Sequence, residues 1–148
     1  IDSAEFHRAA CELLGVEIGF EPFARMWGDM FSERELIATD WIAALGETNR
    51  LALLSNTNEL HFEAVRERYP VVGLFPEAVL SYRVRAMKPS PAIYEAAVEA
   101  VGCAPGECFF VDDRPENVEG ARAAGLDAEL FRGQSELEEQ LRARGVRW

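Results

Sequence analysis

The chain has 148 residues, with 15 Lys+Arg against 26 Asp+Glu for a formal net charge of −11, and 49% of its residues are hydrophobic. That length suits one domain burying roughly 68–70% of its unfolded surface, and the apolar share excludes disorder. The acidity argues against nucleic acid and anionic membranes as partners, and no apolar run approaches the ~18–20 residues of a membrane span.

Ser3 can cap a first helix in which Phe6, Ala9, Ala10, Leu13 and Leu14 recur at helical spacing, and Gly15 stops it. Glu21-Pro22 opens a second, with Phe23, Met26, Trp27 and Met30 on one face. Ser32-Glu33-Arg34-Glu35 reads as a capping box for a third, through Leu36, Ile37, Trp41, Ile42 and Leu45 to about Gly46. The period then changes. Residues 51–54 form an apolar run suited to a strand buried on both faces. The polar turn Ser55-Asn56-Thr57-Asn58 follows, then a helix through Phe62, Val65 and Tyr69, then a strand over 78–82. Ser90-Pro91 supplies an N-cap and a first-turn Pro to a helix carrying Ile93, Ala96, Ala97 and Ala100. A strand over 108–111 ends in Asp112-Asp113. A helix over 115–124 leads through Gly125 to a strand over 128–131, and Ser135-x-x-Glu138 caps a last helix. Alternation of strand and helix from Leu51 onward predicts a parallel α/β sheet. The expected division is a partial helical cap over 1–46 and an α/β core over 47–148.

Ligands of open parallel sheets sit beyond the carboxyl ends of the strands. After the first strand, Ser55, Asn56 and Thr57 can hold an anionic oxygen together with backbone N–H groups, though alone they read as turn residues. After the second, Lys88 can project over the strand ends as a fixed positive charge, though alone it reads as a solvated surface lysine. After the third, Asp112 and Asp113 repel each other unless a cation or donors offset them. A hard ion such as Mg²⁺ takes one or two carboxylates plus waters and a substrate phosphate, and a helix-capping Asp113 is the competing reading. Taken together and in that order, the three groups describe a phosphate site with a metal.

With these motifs the sequence resembles the haloacid dehalogenase-like (HAD) superfamily of hydrolases, nearest its sugar-phosphatase and epoxide-hydrolase N-terminal-domain branch. Leu53-Leu54-Ser55-Asn56-Thr57 is similar to the family's second motif, whose Ser and Asn bind the phosphoryl group. Lys88-Pro89, followed by Ile93-Tyr94, is similar to the third, whose Lys neutralises nucleophile and phosphate. Residues 110–118, Phe-Val-Asp-Asp-Arg-Pro-Glu-Asn-Val, are similar to the fourth. There the resemblance implies Asp113 as Mg²⁺ ligand, Asp112 as its neighbour and Asn117 as support. Gly120-Ala121 and Ala124-Gly125 fit the helix that follows. The resemblance implies a doubly wound, Rossmann-type parallel sheet with a partial N-terminal helical cap. It also implies a Mg²⁺-dependent phosphatase that acts on a small phosphorylated metabolite through an aspartyl-phosphate. Arg85 departs from the family, which often has Gly there, and a cation at that point would alter the entrance or add a phosphate contact.

The family's first motif, Asp-x-Asp after the first core strand, supplies the nucleophile and the general acid/base. No segment before residue 46 matches it. The chain starts Ile1-Asp2-Ser3, with neither Met nor a signal-peptide pattern. It therefore reads as beginning inside the cap, short by on the order of 30 or more residues, and no turnover is expected unless that motif is restored in trans. In the family, the first strand lies between those carrying the second and fourth motifs, so its absence leaves unpaired backbone groups. Direct pairing of the flanking strands, a strand-swapped homodimer or an N-terminal piece would satisfy them. An inactive remnant that oligomerises or binds phosphometabolites is the second reading. A metal-independent haloacid dehalogenase is the third, and the carboxylate pair counts against it. His7 and His61 read as surface or cap-packing residues, and the aromatic and Met stripes as packing. Three loosely spaced cysteines, Cys11, Cys103 and Cys108, suit neither zinc nor a disulfide framework, which points to a reducing, cytoplasmic compartment.

Overall fold

The computed structural model describes residues 2–28 and 36–148, so the expected capping box over 32–35 and Met30 lie outside the described residues. Helix α1 spans Ser3–Leu14 and α2 spans Phe20–Gly28. Asp2, not Ser3, caps α1: its carboxylate accepts from Glu5 N at 2.8 Å while the Glu5 carboxylate accepts from Asp2 N at 3.2 Å. This reciprocal box leaves the Ser3 hydroxyl to donate to Glu59 at 2.7 Å. Helix α3, Thr39–Thr48, runs two residues beyond Gly46. Trp41, Ile42 and Leu45 on α3 pack with Leu137 and Leu141 of the last helix, α8 (Gln134–Ala143). Ser135 lies inside α8, whose N-cap is Gly133 at φ 133°, and the adjacent Gln134 side chain instead accepts from Ala38 N at 2.8 Å.

From residue 52 strands and helices alternate: β1 Ala52–Ser55, α4 Glu59–Arg68, β2 Glu77–Leu80, a short α5 Ser81–Val84 and α6 Pro91–Val101. Then follow β3 Phe109–Asp112, α7 Pro115–Ala123 and β4 Asp127–Leu130. The strand expected over 78–82 stops at Leu80, because the Ser81 hydroxyl turns aside to bond the Thr57 backbone. β1 pairs in parallel with β2, from Ala52 opposite Glu77 to Ser55 opposite Leu80. β3 pairs in parallel with β4, from Phe109 opposite Asp127 to Asp112 opposite Leu130. The two pairs form separate two-stranded sheets. Among the described residues β1 and β3 do not pair, so direct closure of the flanking strands is not the arrangement adopted. β1, expected to be buried on both faces, is half-buried along its length, as a strand with one neighbour must be.

The main core gathers Val79, Ile93, Tyr94, Val118, Ala121, Leu126 and Ala128 beneath the strand ends. Helices α1 and α2 rest on α4 through rings. Trp27 stacks on Phe23 at 5.4 Å and on His61 at 4.9 Å, and His7 meets Phe23 at 5.0 Å. Both histidines are therefore packing residues, and burial lowers the His61 pKa. Trp148 packs edge-on to Trp41 at 5.6 Å. Among the described residues no helix is long and apolar enough to cross a membrane.

Candidate active site

The loops leaving β1, β2 and β3 bring the expected residues to one end of the strands. Lys88, the chain's only lysine, lies between α5 and α6, joined to Pro89 by a cis peptide bond. Its Nζ donates to Asp112 Oδ2 at 2.6 Å and to the Leu54 carbonyl at 2.9 Å. The Lys88 and Asp112 side chains are only 9% and 6% exposed, so Lys88 is not a solvated surface residue. It bridges the end of β1 to the end of β3.

The neighbouring carboxylates have different fates. Asp112 also accepts from Asn117 Nδ2 at 2.8 Å and from Arg114 N at 3.0 Å. Burial by itself would raise its pKa. The hydrogen bonds from Lys88, Asn117 and Arg114 N and the Lys88 charge outweigh burial and hold the carboxyl below its ordinary value. Asp113 is exposed and makes no hydrogen bond or ion pair among the described residues. Nor does it cap α7, whose N-cap is Arg114. Its charge therefore faces outward from the end of β3 with no internal partner.

Asn117 is 4% exposed and lies under Asp112 rather than in the open mouth. Ser55 ends β1 half-buried, and its hydroxyl makes no hydrogen bond among the described residues. The Thr57 N–H donates to Ser81 Oγ at 2.9 Å, and the Ser81 hydroxyl donates back to Thr57 O at 2.8 Å. Asn56 bonds the Lys88 backbone at both ends of its amide.

Three contributors have no site role in the sequence pattern. Ser81 had been expected inside a strand. Tyr94, wholly buried, donates its hydroxyl to Asn117 O at 2.7 Å, and burial followed by the Asp112 charge pushes its pKa up to about 12. A Cβ at Gly120 would stand 2.7 Å from Pro89 Cβ, 2.9 Å from Pro89 O and 3.0 Å from the Tyr94 hydroxyl. Only glycine lets α7 approach the Lys88-Pro89 segment so closely, and a glycine inside a helical pattern was the available signal. Arg85 adopts φ 55°, the left-handed conformation that favours glycine, and it is exposed.

Among the described residues no group of three or more His, Cys, Asp or Glu converges on a metal position. One outward carboxylate, Asp113, fits a hard cation that keeps several waters and draws its other ligands from phosphate. Chemically, the strand ends present a buried, paired ammonium, a free hydroxyl and a free carboxylate.

A family profile for haloacid dehalogenase-like hydrolases matches residues 24–125. The chain is 28% identical over 133 residues to D-ribitol-5-phosphate phosphatase of Bacteroides thetaiotaomicron, covering 86% of the chain and 65% of that protein. It is 37% identical over 76 residues to haloacetate dehalogenase H-2 of Moraxella sp., covering 51% of the chain and 34% of that protein. It thus spans less than two thirds of the length of either relative. A HAD family enzyme of Bacteroides thetaiotaomicron, crystallised with magnesium and inorganic phosphate, superposes with a TM-score of 0.80 at 29% identity, over 90% of this chain and 70% of that one.

Proposed function

The chain belongs to the haloacid dehalogenase-like hydrolases, and we propose that it supplies the phosphate- and metal-facing groups of a Mg²⁺-dependent phosphatase acting on a small phosphorylated metabolite. The contrast between adjacent carboxylates carries this reading. Asp112 is consumed by three donors, which leaves Asp113 as the carboxylate for a metal. The relative that acts on D-ribitol-5-phosphate and the neighbour bound to magnesium and phosphate favour a sugar or polyol phosphate.

Asp113 would hold the Mg²⁺, which when bound neutralises phosphate charge. The free Ser55 hydroxyl donates to a phosphoryl oxygen. Lys88, held in place by Asp112, offsets the charge developing on the transferred group. Thr57 fixes its loop through Ser81, and Asn117 fixes Asp112. The 148 residues contain no Asp-x-Asp. The nucleophile in this proposal comes from a strand between β1 and β3, delivered by an N-terminal piece, and the 148 residues alone give no turnover. A strand-swapped second copy would fill the gap in the sheet but would bring no Asp-x-Asp. The division into a cap over 1–46 and a core over 47–148 belongs to the same proposal, with α3 as the piece resting on α8. Three free cysteines among the described residues suit a reducing, cytoplasmic setting.

The missing motif equally favours a second reading, a non-catalytic module that binds phosphometabolites or oligomerises. The Moraxella relative keeps metal-independent dehalogenation as a third. Titration of inorganic phosphate followed by ³¹P NMR, with and without Mg²⁺, tests the site. Binding should strengthen with Mg²⁺ and weaken by about tenfold or more in Asp113→Asn. Binding indifferent to both would overturn the metal assignment, and haloacetate turnover in EDTA would favour the third reading.

A further inference from the structure

Asn56 stands exposed at the C-terminal end of β1, where a side-chain amide is placed to meet a phosphoryl oxygen. Its amide is already committed. Nδ2 donates to the Lys88 carbonyl at 2.9 Å, and Oδ1 accepts from the Lys88 N–H at 2.7 Å. Both polar ends are spent on the backbone of one residue. The Lys88 side chain then returns to β1, where its ammonium donates to Leu54 O, and crosses to β3, where it donates to Asp112. The end of β1 therefore grips Lys88 twice, by the backbone through Asn56 and by the ammonium through Leu54.

The other side of the same segment is also blocked. Pro89 lies so near Gly120 that not even a methyl group fits between them. A lysine has four rotatable side-chain bonds, so the ammonium's reach depends on how firmly its backbone is anchored. An exposed asparagine that makes two backbone bonds to the lysine is well suited to provide that anchor.

We propose that Asn56 is a positioning residue, whose side chain clamps the Lys88 backbone so that Nζ reaches Asp112, and that it serves phosphate through Lys88 rather than by direct contact. This rests on Lys88 and Asp112 belonging to a phosphate site, yet it is tested on Lys88 itself. The chain has a single lysine, so a ¹⁵Nζ-labelled sample gives one ammonium signal. In the wild-type 148-residue protein that signal should be protected from exchange by its two acceptors. In Asn56→Ala exchange should quicken by about tenfold. Asn56→Asp keeps an acceptor for Lys88 N–H but loses the donor, and should fall between the two.

Inorganic phosphate with Mg²⁺ is titrated in parallel, and circular dichroism confirms that each variant is folded. An unchanged Lys88 signal in folded Asn56→Ala overturns the proposal, whatever happens to the melting temperature. If phosphate binding weakens at the same time, Asn56 is a direct ligand. A shifted Lys88 signal in a protein that binds no phosphate upholds the clamp and sinks the phosphate reading instead.

Discussion

Leu13 on α1 is 87% exposed, Leu14 is 61% exposed and Met26 on α2 is 51% exposed, whereas Lys88 and Asp112 at the strand ends keep only 9% and 6% of their side chains in water. The helical pair leaves apolar groups outside, while the site takes charges inside. Exposed leucines cost little, so α1 and α2 can rest on α4 through a few rings. A buried charge is tolerated only when fully paired, so the strand ends permit no loose partner. Stability should therefore be far more sensitive at the site than on the α1–α2 surface.

The largest effect should come from Lys88→Met, which strands the Asp112 charge in the interior. Denaturant unfolding should show a loss of about 3–5 kcal/mol, and a loss below 1 kcal/mol would break the contrast. Acid probes the same pair without a mutation. The folded pKa of Asp112 lies below its unfolded value, so the pair's stabilisation is present above the ordinary aspartate range and is lost as pH falls through the folded value. Urea midpoints should fall with pH in that window, and Asp112→Asn should flatten the slope. Gly120→Ala should cost about 1–3 kcal/mol by overpacking, with the Lys88 signal displaced because Pro89 must move.

Arg85→Gly relieves a left-handed arginine and should raise stability by up to about 1 kcal/mol. The smallest effect belongs to the helical pair: Leu13→Ser should stay within about 0.5 kcal/mol of wild type.

The change from helical period to short apolar runs at Leu51 made the strand–helix alternation legible, and strand ends located Ser55, Lys88 and Asp112. What stayed hidden depends on contacts between distant segments. Period alone cannot show that Ser81 leaves its strand to bond Thr57, 24 residues away. Composition could not separate Asp112 from Asp113, because one step along the chain exchanges a pocket of three donors for solvent. The partition of the strands into two pairs does not follow from period or composition; only the family resemblance, which places a further strand between β1 and β3, anticipates that gap. Asn56 had the right position for a phosphate ligand, and only the geometry shows its amide occupied by Lys88.

The central claim is that these residues form the phosphate and metal side of a site whose nucleophile lies elsewhere. The most direct measurement is the rate of p-nitrophenyl phosphate hydrolysis by the 148-residue chain with Mg²⁺. No rate above background is predicted. A Mg²⁺-dependent rate that disappears in Asp113→Ala would contradict the account.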